Sequence, residues 1–300
     1  GVRSEDDNVE IETYEKNIFD YYEVSEFERK KIYKNDYEKT VTLTSALENM
    51  PTVVDRTFDD EGKIKFKDGT SISNFNGNVY GDISLKQAYK VSSNVVFGTL
   101  AMELGNNELK STAEDYGFNS VITGPGISIT ASRFPTLNNS ELGNIAQSGI
   151  GQGSVLSTPM QMALVAATVA NDGVMMQPKL VNSIVDKDKN IIKTTETKEL
   201  KQVMSSDIAE TIQSYMTYLV DSNLNKWPAF KGTNAGGKTG TADYTLSDGS
   251  PATPHSWFIA AAPMDNPEIA VAVIVENGGT GSGKAATVAS KVVRQAVLGK

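Results

Sequence analysis

Gly236-Gly237-Lys238-Thr239-Gly240-Thr241-Ala242 puts a lysine, two threonines and several glycines on one short segment that opens a strand-rich region. Such a composition is wrong for an ordinary core strand, because glycine weakens a strand and lysine is not buried without a partner. The run therefore marks a strand whose backbone something approaches closely. An edge at Gly240 lets an extended peptide pair with it, Lys238 and Thr241 can hold a carboxylate, and a backbone N–H can face a developing oxyanion. Taken alone, the run is also compatible with an exposed turn carrying a stray lysine.

Working outward from it, residues 237–242, 255–262 and 268–275 read as strands, and a glycine-rich loop then leads to a final helix over 286–298. Upstream lies an amphipathic helix over 206–219, preceded by extended segments over 174–193 with a turn at 186–190. Thr158 and Pro159 supply the N-cap and first position of an apolar helix that Asp172-Gly173 ends. Its methionines, Met160 and Met162, read as core. Residues 143–153 (GNIAQSGIGQG) read as a glycine-punctuated loop. A helical pattern over 84–104 is interrupted at Ser92-Ser93-Asn94. Ile64, Phe66 and Ile72 alternate with polar residues around an Asp68-Gly69 hairpin turn. Val41, Leu43, Ala46 and Leu47 share a helix face that Asn49, Met50 and Pro51 close. Residues 1–38 form a polar lead-in with one short helix near 24–32. The sum is an α/β sandwich with a helical insertion, helical mainly over 39–222 and sheet plus C-terminal helix mainly over 236–300.

Composition narrows the function. The 300 residues carry 28 Lys plus Arg against 37 Asp plus Glu, a net charge of −9, which argues against a nucleic-acid surface. The absence of cysteine removes thiol nucleophiles, disulfides and thiolate metal sites, and one histidine makes a zinc site improbable. That histidine, His255, stands beside Ser256 with no orienting partner at a recognisable spacing, so it reads as structural. Trp227 and Trp257 are too far apart in sequence to define a platform. The first residues show no signal-peptide pattern and no apolar run reaches bilayer length, so any leader or anchor is expected outside these residues. Gly278-Gly279-Thr280-Gly281-Ser282-Gly283-Lys284-Ala285 approaches the P-loop pattern, but Ala285 lacks the metal-binding hydroxyl and too little chain follows for a metal-binding strand. A flexible loop leading into the last helix accounts for it better.

Ser92-Ser93-Asn94 followed by Lys238-Thr239-Gly240 resembles the S-x-x-K, S-D-N and K-T-G signature of the penicillin-binding proteins. The stretches ISLKQAYKVSSNVVFGTLAMELG (83–105), SGIGQGSVLSTPMQMALVAATVANDGVMMQPKLV (148–181) and HSWFIAAAPMDNPEIAVAVIVENGG (255–279) are similar, in order, to a class B penicillin-binding transpeptidase domain. The resemblance covers 39–300. It implies a five-stranded antiparallel sheet flanked by helices with an all-helical subdomain, as in serine β-lactamases. It also implies a D,D-transpeptidase that crosslinks peptidoglycan stem peptides ending in D-Ala-D-Ala through an acyl-enzyme and is acylated by β-lactams. In that mechanism Lys39 is the base, Ser92 and Asn94 relay protons and hold the peptide amide, and Lys238, Thr239 and Thr241 bind the substrate carboxylate. Gly240 keeps the edge accessible and the Thr241 N–H donates to the oxyanion. No metal or organic cofactor is implied. Such a domain works at the extracytoplasmic face of the bacterial membrane, held by an N-terminal helix outside this chain and partnered with a membrane-bound glycosyltransferase.

One departure stands out. No Ser-x-x-Lys occurs in the chain. The place for it reads Asn35-Asp36-Tyr37-Glu38-Lys39-Thr40, which puts Asp36 at the serine position if no gap is allowed. A carboxylate nucleophile would give a high-energy anhydride, leaving an inactive pseudo-transpeptidase that binds cell-wall peptides or a partner. The favoured reading is an omission: family members read Tyr-Glu-Pro-Gly-Ser-Thr-Phe-Lys here, and Tyr37-Glu38 followed by Lys39 is that run without Pro-Gly-Ser-Thr-Phe. A chain freed from catalysis has little reason to keep Lys39, Ser92, Asn94 and all of 238–241.

Overall fold

The computed structural model describes residues 2–3, 10–11, 38–244, 246 and 248–299. The helix expected near 24–32 and the Asp36 position lie outside the described residues. A short ladder pairs β1 (Val2–Arg3) with β2 (Glu10–Ile11).

The organising element is an antiparallel sheet of β13 (Gly236–Ala242), β14 (His255–Ala262) and β15 (Ile269–Val275), in that order. Among the described residues it has three strands, where the resemblance implies five. From Trp257 on, central strand β14 is apolar without interruption because it is covered on both faces. Trp257, Ile259 and Ala261 belong to the main core, whereas Phe258, Ala260 and Ala262 alternate onto a second core with Trp227, Phe230 and Val293. That second core lies under α7 (Lys284–Leu298), and α5 (Pro159–Ala170) and α6 (Ser206–Asp221) also pack on the sheet. The elements follow the expected spans within a few residues. Thr158 Oγ1 accepts the Gln161 N–H as N-cap of α5, with Pro159 at its first position. Met162 is core as expected, but Met160 is 38% exposed, because residues two apart point to nearly opposite sides of a helix.

In the helical part, α1 (Glu38–Asn49) is buried nearly all round at its N-terminal half, beyond the single apolar face read from Val41, Leu43, Ala46 and Leu47. Its hydroxyls make this possible: Thr42 Oγ1 donates to Gly149 O at 2.8 Å, and Thr44 Oγ1 to Thr40 O at 3.0 Å. A hairpin arm follows, with β3 (Thr57–Asp60) paired to β6 (Gly81–Ser84) and β4 (Lys63–Lys65) to β5 (Ser71–Ser73). Gly69 makes the inner turn at φ +86°, as Asp68-Gly69 predicted. The broken helical pattern resolves into α2 (Leu85–Val91) and α3 (Asn94–Asp115). Further two-stranded pairings are β7 (Ile122–Gly124) with β8 (Ile127–Ile129), β10 (Ser183–Val185) with β11 (Ile191–Thr194), and β9 (Val174–Met176) with β12 (Glu199–Gln202). The turn at 186–190 is closed by Asp186 N–H to Asn190 O at 3.0 Å.

The segment 143–153 corrects the loop reading. Its first part is helix α4 (Leu142–Gly149), which packs on α3. Gly149 serves proximity rather than bending: a Cβ there would stand 2.2 Å from Ala101 Cβ. Gly149→Ala must therefore push α4 off α3, and urea unfolding should show a loss of about 1–3 kcal/mol, the usual cost of overpacking.

Candidate active site

Ser92 caps the C-terminus of α2 in the left-handed region at φ 56°, and Ser93 caps the N-terminus of α3, accepting the Val96 N–H at 3.0 Å. Ser92 has no glycine's freedom there, so the turn is strained unless its surroundings hold it. Lys238 reaches it from β13, donating from Nζ to Ser92 Oγ at 2.8 Å and to the Thr239 carbonyl at 2.8 Å. The ammonium also lies 5.5 Å from the centroid of the Tyr89 ring. Residues 146 apart in sequence thus form one polar centre between the helical part and the sheet.

Lys238 and Lys39 are both fully buried, at 0% exposure. Burying a lysine is costly, and a fold that does it twice beside one cleft puts those side chains to use. Lys39 is the second residue of α1, and the next residue, Thr40, shares a 2.9 Å hydrogen bond with Tyr89 Oη. Tyr89 thereby ties the N-terminal end of α1 to the Lys238 centre. Burial pushes its phenol far above the ordinary tyrosine range, against a smaller opposing effect of the Thr40 hydrogen bond, so Tyr89 is neutral and no base.

Ser92, Asn94, Thr239 and Thr241 line one cavity of about 800 Å³. Asn94 donates from Nδ2 to Ser73 O at 2.8 Å, which aims its carboxamide along the cavity wall of the hairpin arm. Gln152 donates to Thr241 O at 3.4 Å and joins the lining, as do Phe75 of the arm, 54% exposed, and Trp227. Gln152 follows α4 and belongs to the glycine-rich run whose role the sequence left open. Phe75 and Tyr89 carry no motif signal, since an aromatic in a hairpin or helix is most simply packing.

The backbone at Gly240 is approached closely from the C-terminal part of the chain. A Cβ on Gly281 would meet Gly240 O at 2.2 Å and Gly240 N at 2.6 Å, so the loop before α7 lies directly on the β13 backbone. Gly281 N–H also donates to Thr241 Oγ1 at 3.1 Å. Gly281 of the P-loop-like run is thus committed to packing, and Lys284 is exposed at the start of α7. His255 stacks on Tyr244 at 4.6 Å and accepts the Asn277 N–H at Nδ1, while Ser256 Oγ donates to Thr280 O and accepts the Ala285 N–H. Both are structural, as read from sequence. Among the described residues no group of three or more His, Cys, Asp or Glu side chains could hold a metal ion, and no helix is long and apolar enough to cross a membrane.

This arrangement has counterparts. A family profile described as penicillin binding protein transpeptidase domain matches residues 37–295. The peptidoglycan D,D-transpeptidase PbpA of Mycolicibacterium smegmatis is 35% identical over 212 residues, covering 70% of this chain and 42% of the relative. Penicillin-binding protein 2B of Streptococcus pneumoniae is 31% identical over 267 residues, covering 79% of this chain and 38% of the relative. The chain spans less than half the length of these curated relatives. Among solved structures, a ceftriaxone acyl-enzyme complex of penicillin-binding protein A from Mycobacterium tuberculosis superposes with a TM-score of 0.82 at 29% identity, covering 89% of this chain and 61% of that one. The D,D-transpeptidase domain of a peptidoglycan glycosyltransferase from Eggerthella lenta gives 0.79 at 29% identity, covering 90% and 67%. With the Ser-x-Asn turn and the Lys-Thr-Gly strand joined in one cleft and a family profile matched over nearly the whole described length, the chain belongs to the penicillin-binding protein transpeptidase domain family.

Proposed function

We propose that residues 39–300 form the D,D-transpeptidase domain of a class B penicillin-binding protein, taking stem peptides that end in D-Ala-D-Ala and acylated by β-lactams. The observation that carries this reading is the 2.8 Å contact between buried Lys238 and Ser92 in the cavity that Thr239 and Thr241 line. A serine one helical turn before Lys39 attacks the penultimate D-Ala carbonyl while Lys39 takes its proton. Lys238 and Ser92 relay a proton to the departing D-Ala amine. The Thr241 N–H, on the edge strand, faces the oxyanion, and Thr239 and Thr241 with the Lys238 charge hold the terminal carboxylate. Asn94 holds the peptide amide. Water or, productively, the amine of a second stem peptide then accepts the acyl group.

Glu38 supports the omission reading. It is fully buried beside Lys39 at the first residue of α1, where the family run carries Ser-Thr-Phe instead. A carboxylate in that position is expensive, and it is where removal of Pro-Gly-Ser-Thr-Phe would draw it. The missing Ser-x-x-Lys itself favours a second reading, an inactive domain that still binds the peptide. Partnership with a membrane glycosyltransferase and an extracytoplasmic location held by an N-terminal anchor follow from the proposed role.

Both readings require the cleft to bind peptide. Titration with an N-acetylated peptide ending in D-Ala-D-Ala should shift the amide resonances of Gly240 and Thr241, and Thr241→Val should weaken binding about tenfold through loss of one charge-assisted hydrogen bond. Unchanged resonances at saturating peptide would reject both.

A further inference from the structure

The Ser92-Ser93-Asn94 turn is held from behind by a buried acid. Asp60, the last residue of β3, is 0% exposed, and both its oxygens are engaged. Oδ2 accepts from Ser93 Oγ at 2.5 Å, and Oδ1 accepts from Asn74 Nδ2 at 2.7 Å and the Gly62 N–H at 2.9 Å. Asn74 passes the constraint on, its Oδ1 accepting the N–H groups of Asn94 at 2.8 Å and Val95 at 3.2 Å. The Val96 N–H goes to Ser93 Oγ. Of the first amides of α3, which a helix start leaves without internal partners, two are thus tied directly to the hairpin arm, and a third to Ser93, which Asp60 holds.

Stability alone does not call for a carboxylate there. An apolar filling of similar shape avoids the desolvation of a buried charge. What the acid adds is direction, since charge-assisted hydrogen bonds are short and orient both partners. We propose that Asp60 is a positioning residue of the catalytic centre: through Ser93 and Asn74 it locks Ser92 in its left-handed conformation with Oγ aimed at Lys238 Nζ. This deepens the transpeptidase reading, because it rests on Ser92 and Lys238 being working groups of that site.

The test compares wild type, Asp60→Asn and Asp59→Asn, the last altering an exposed carboxylate on the same strand. Three quantities are read: the thermal midpoint, the ¹³Cε signal of Lys238 assigned by its loss in Lys238→Arg, and affinity for an N-acetylated D-Ala-D-Ala peptide. Asp60→Asn should displace the Lys238 signal and weaken the peptide about tenfold, the effect of one misdirected hydrogen bond, while Asp59→Asn matches wild type. A lowered midpoint with the Lys238 signal and the peptide affinity unmoved would make Asp60 merely structural and overturn the proposal. If Asp60→Asn does not fold, Ser93→Thr and Ser93→Val decide it: the threonine should keep the Lys238 signal and the valine displace it, and identical signals overturn the proposal. If wild type itself binds no peptide, the transpeptidase reading has failed, and the Lys238 signal alone decides the positioning role.

Discussion

Insertion of Pro-Gly-Ser-Thr-Phe between Glu38 and Lys39 is expected to convert this chain from one that gains no mass with benzylpenicillin to one that gains a single penicilloyl unit. Helix α1 starts at Glu38, so among the described residues nothing stands a full turn ahead of Lys39 on the same face, where a hydroxyl would meet the lysine. The rest of the centre is already assembled: Lys39 buried, Tyr89 bridging to Lys238, and Ser92 in place. Supplying the nucleophile supplies the acyl step without new architecture. The same insertion with alanine in place of serine is the control and should leave the mass unchanged. Electrospray mass of the intact chain reads both, and equal masses for the two inserts would sink the assignment of the nucleophile's place.

The second large effect is expected at Lys238. In the serine-bearing chain, Lys238→Met should slow acylation about 10²- to 10⁴-fold, the range for loss of a positioned proton-transfer group. Lys238→Arg should not restore it, because a planar guanidinium does not replace a compact ammonium seated on Ser92 and the Tyr89 ring. Folding should survive, since removing a buried cation also removes its desolvation cost. Lys284→Met is the contrast: that side chain is exposed at the start of α7, and acylation should proceed at the unaltered rate. Stopped-flow labelling with a fluorescent penicillin separates the cases, and a Lys238→Met rate within a factor of two or so of the parent would remove Lys238 from the mechanism.

Much of this was legible from residues. β14 and β15 declare themselves by short apolar runs, β13 by a Gly-Lys-Thr composition that an ordinary core strand does not carry, and α5 by its Thr158-Pro159 start. The Ser92–Asn94 break is visible because three small polar residues compete with a helical backbone. Helix α4 was not legible, since glycine reads as a breaker until Ala101 is known to lie against Gly149. The same holds for Gly281, whose need for bareness comes from Gly240, far off in sequence. Asp60 is the clearest case: in sequence it is one acid in a polar hairpin, and only its contact with Ser93, 33 residues on, distinguishes it from exposed Asp59. Outer strands β3 and β6, rich in aspartate and short, lacked the alternation that betrays a half-buried strand. Motif residues were found because their chemistry is unusual for their element, whereas the residues that hold them are ordinary types in ordinary elements.

The most direct measurement is the intact mass of the protein as its cell makes it, before and after benzylpenicillin. The account predicts a chain heavier than these 300 residues by at least Pro-Gly-Ser-Thr-Phe, and a further gain of one penicilloyl unit that maps to the serine before Lys39. A peptide map reading Tyr37-Glu38-Lys39 without interruption, and no adduct, would contradict it and leave a domain that binds without acylation.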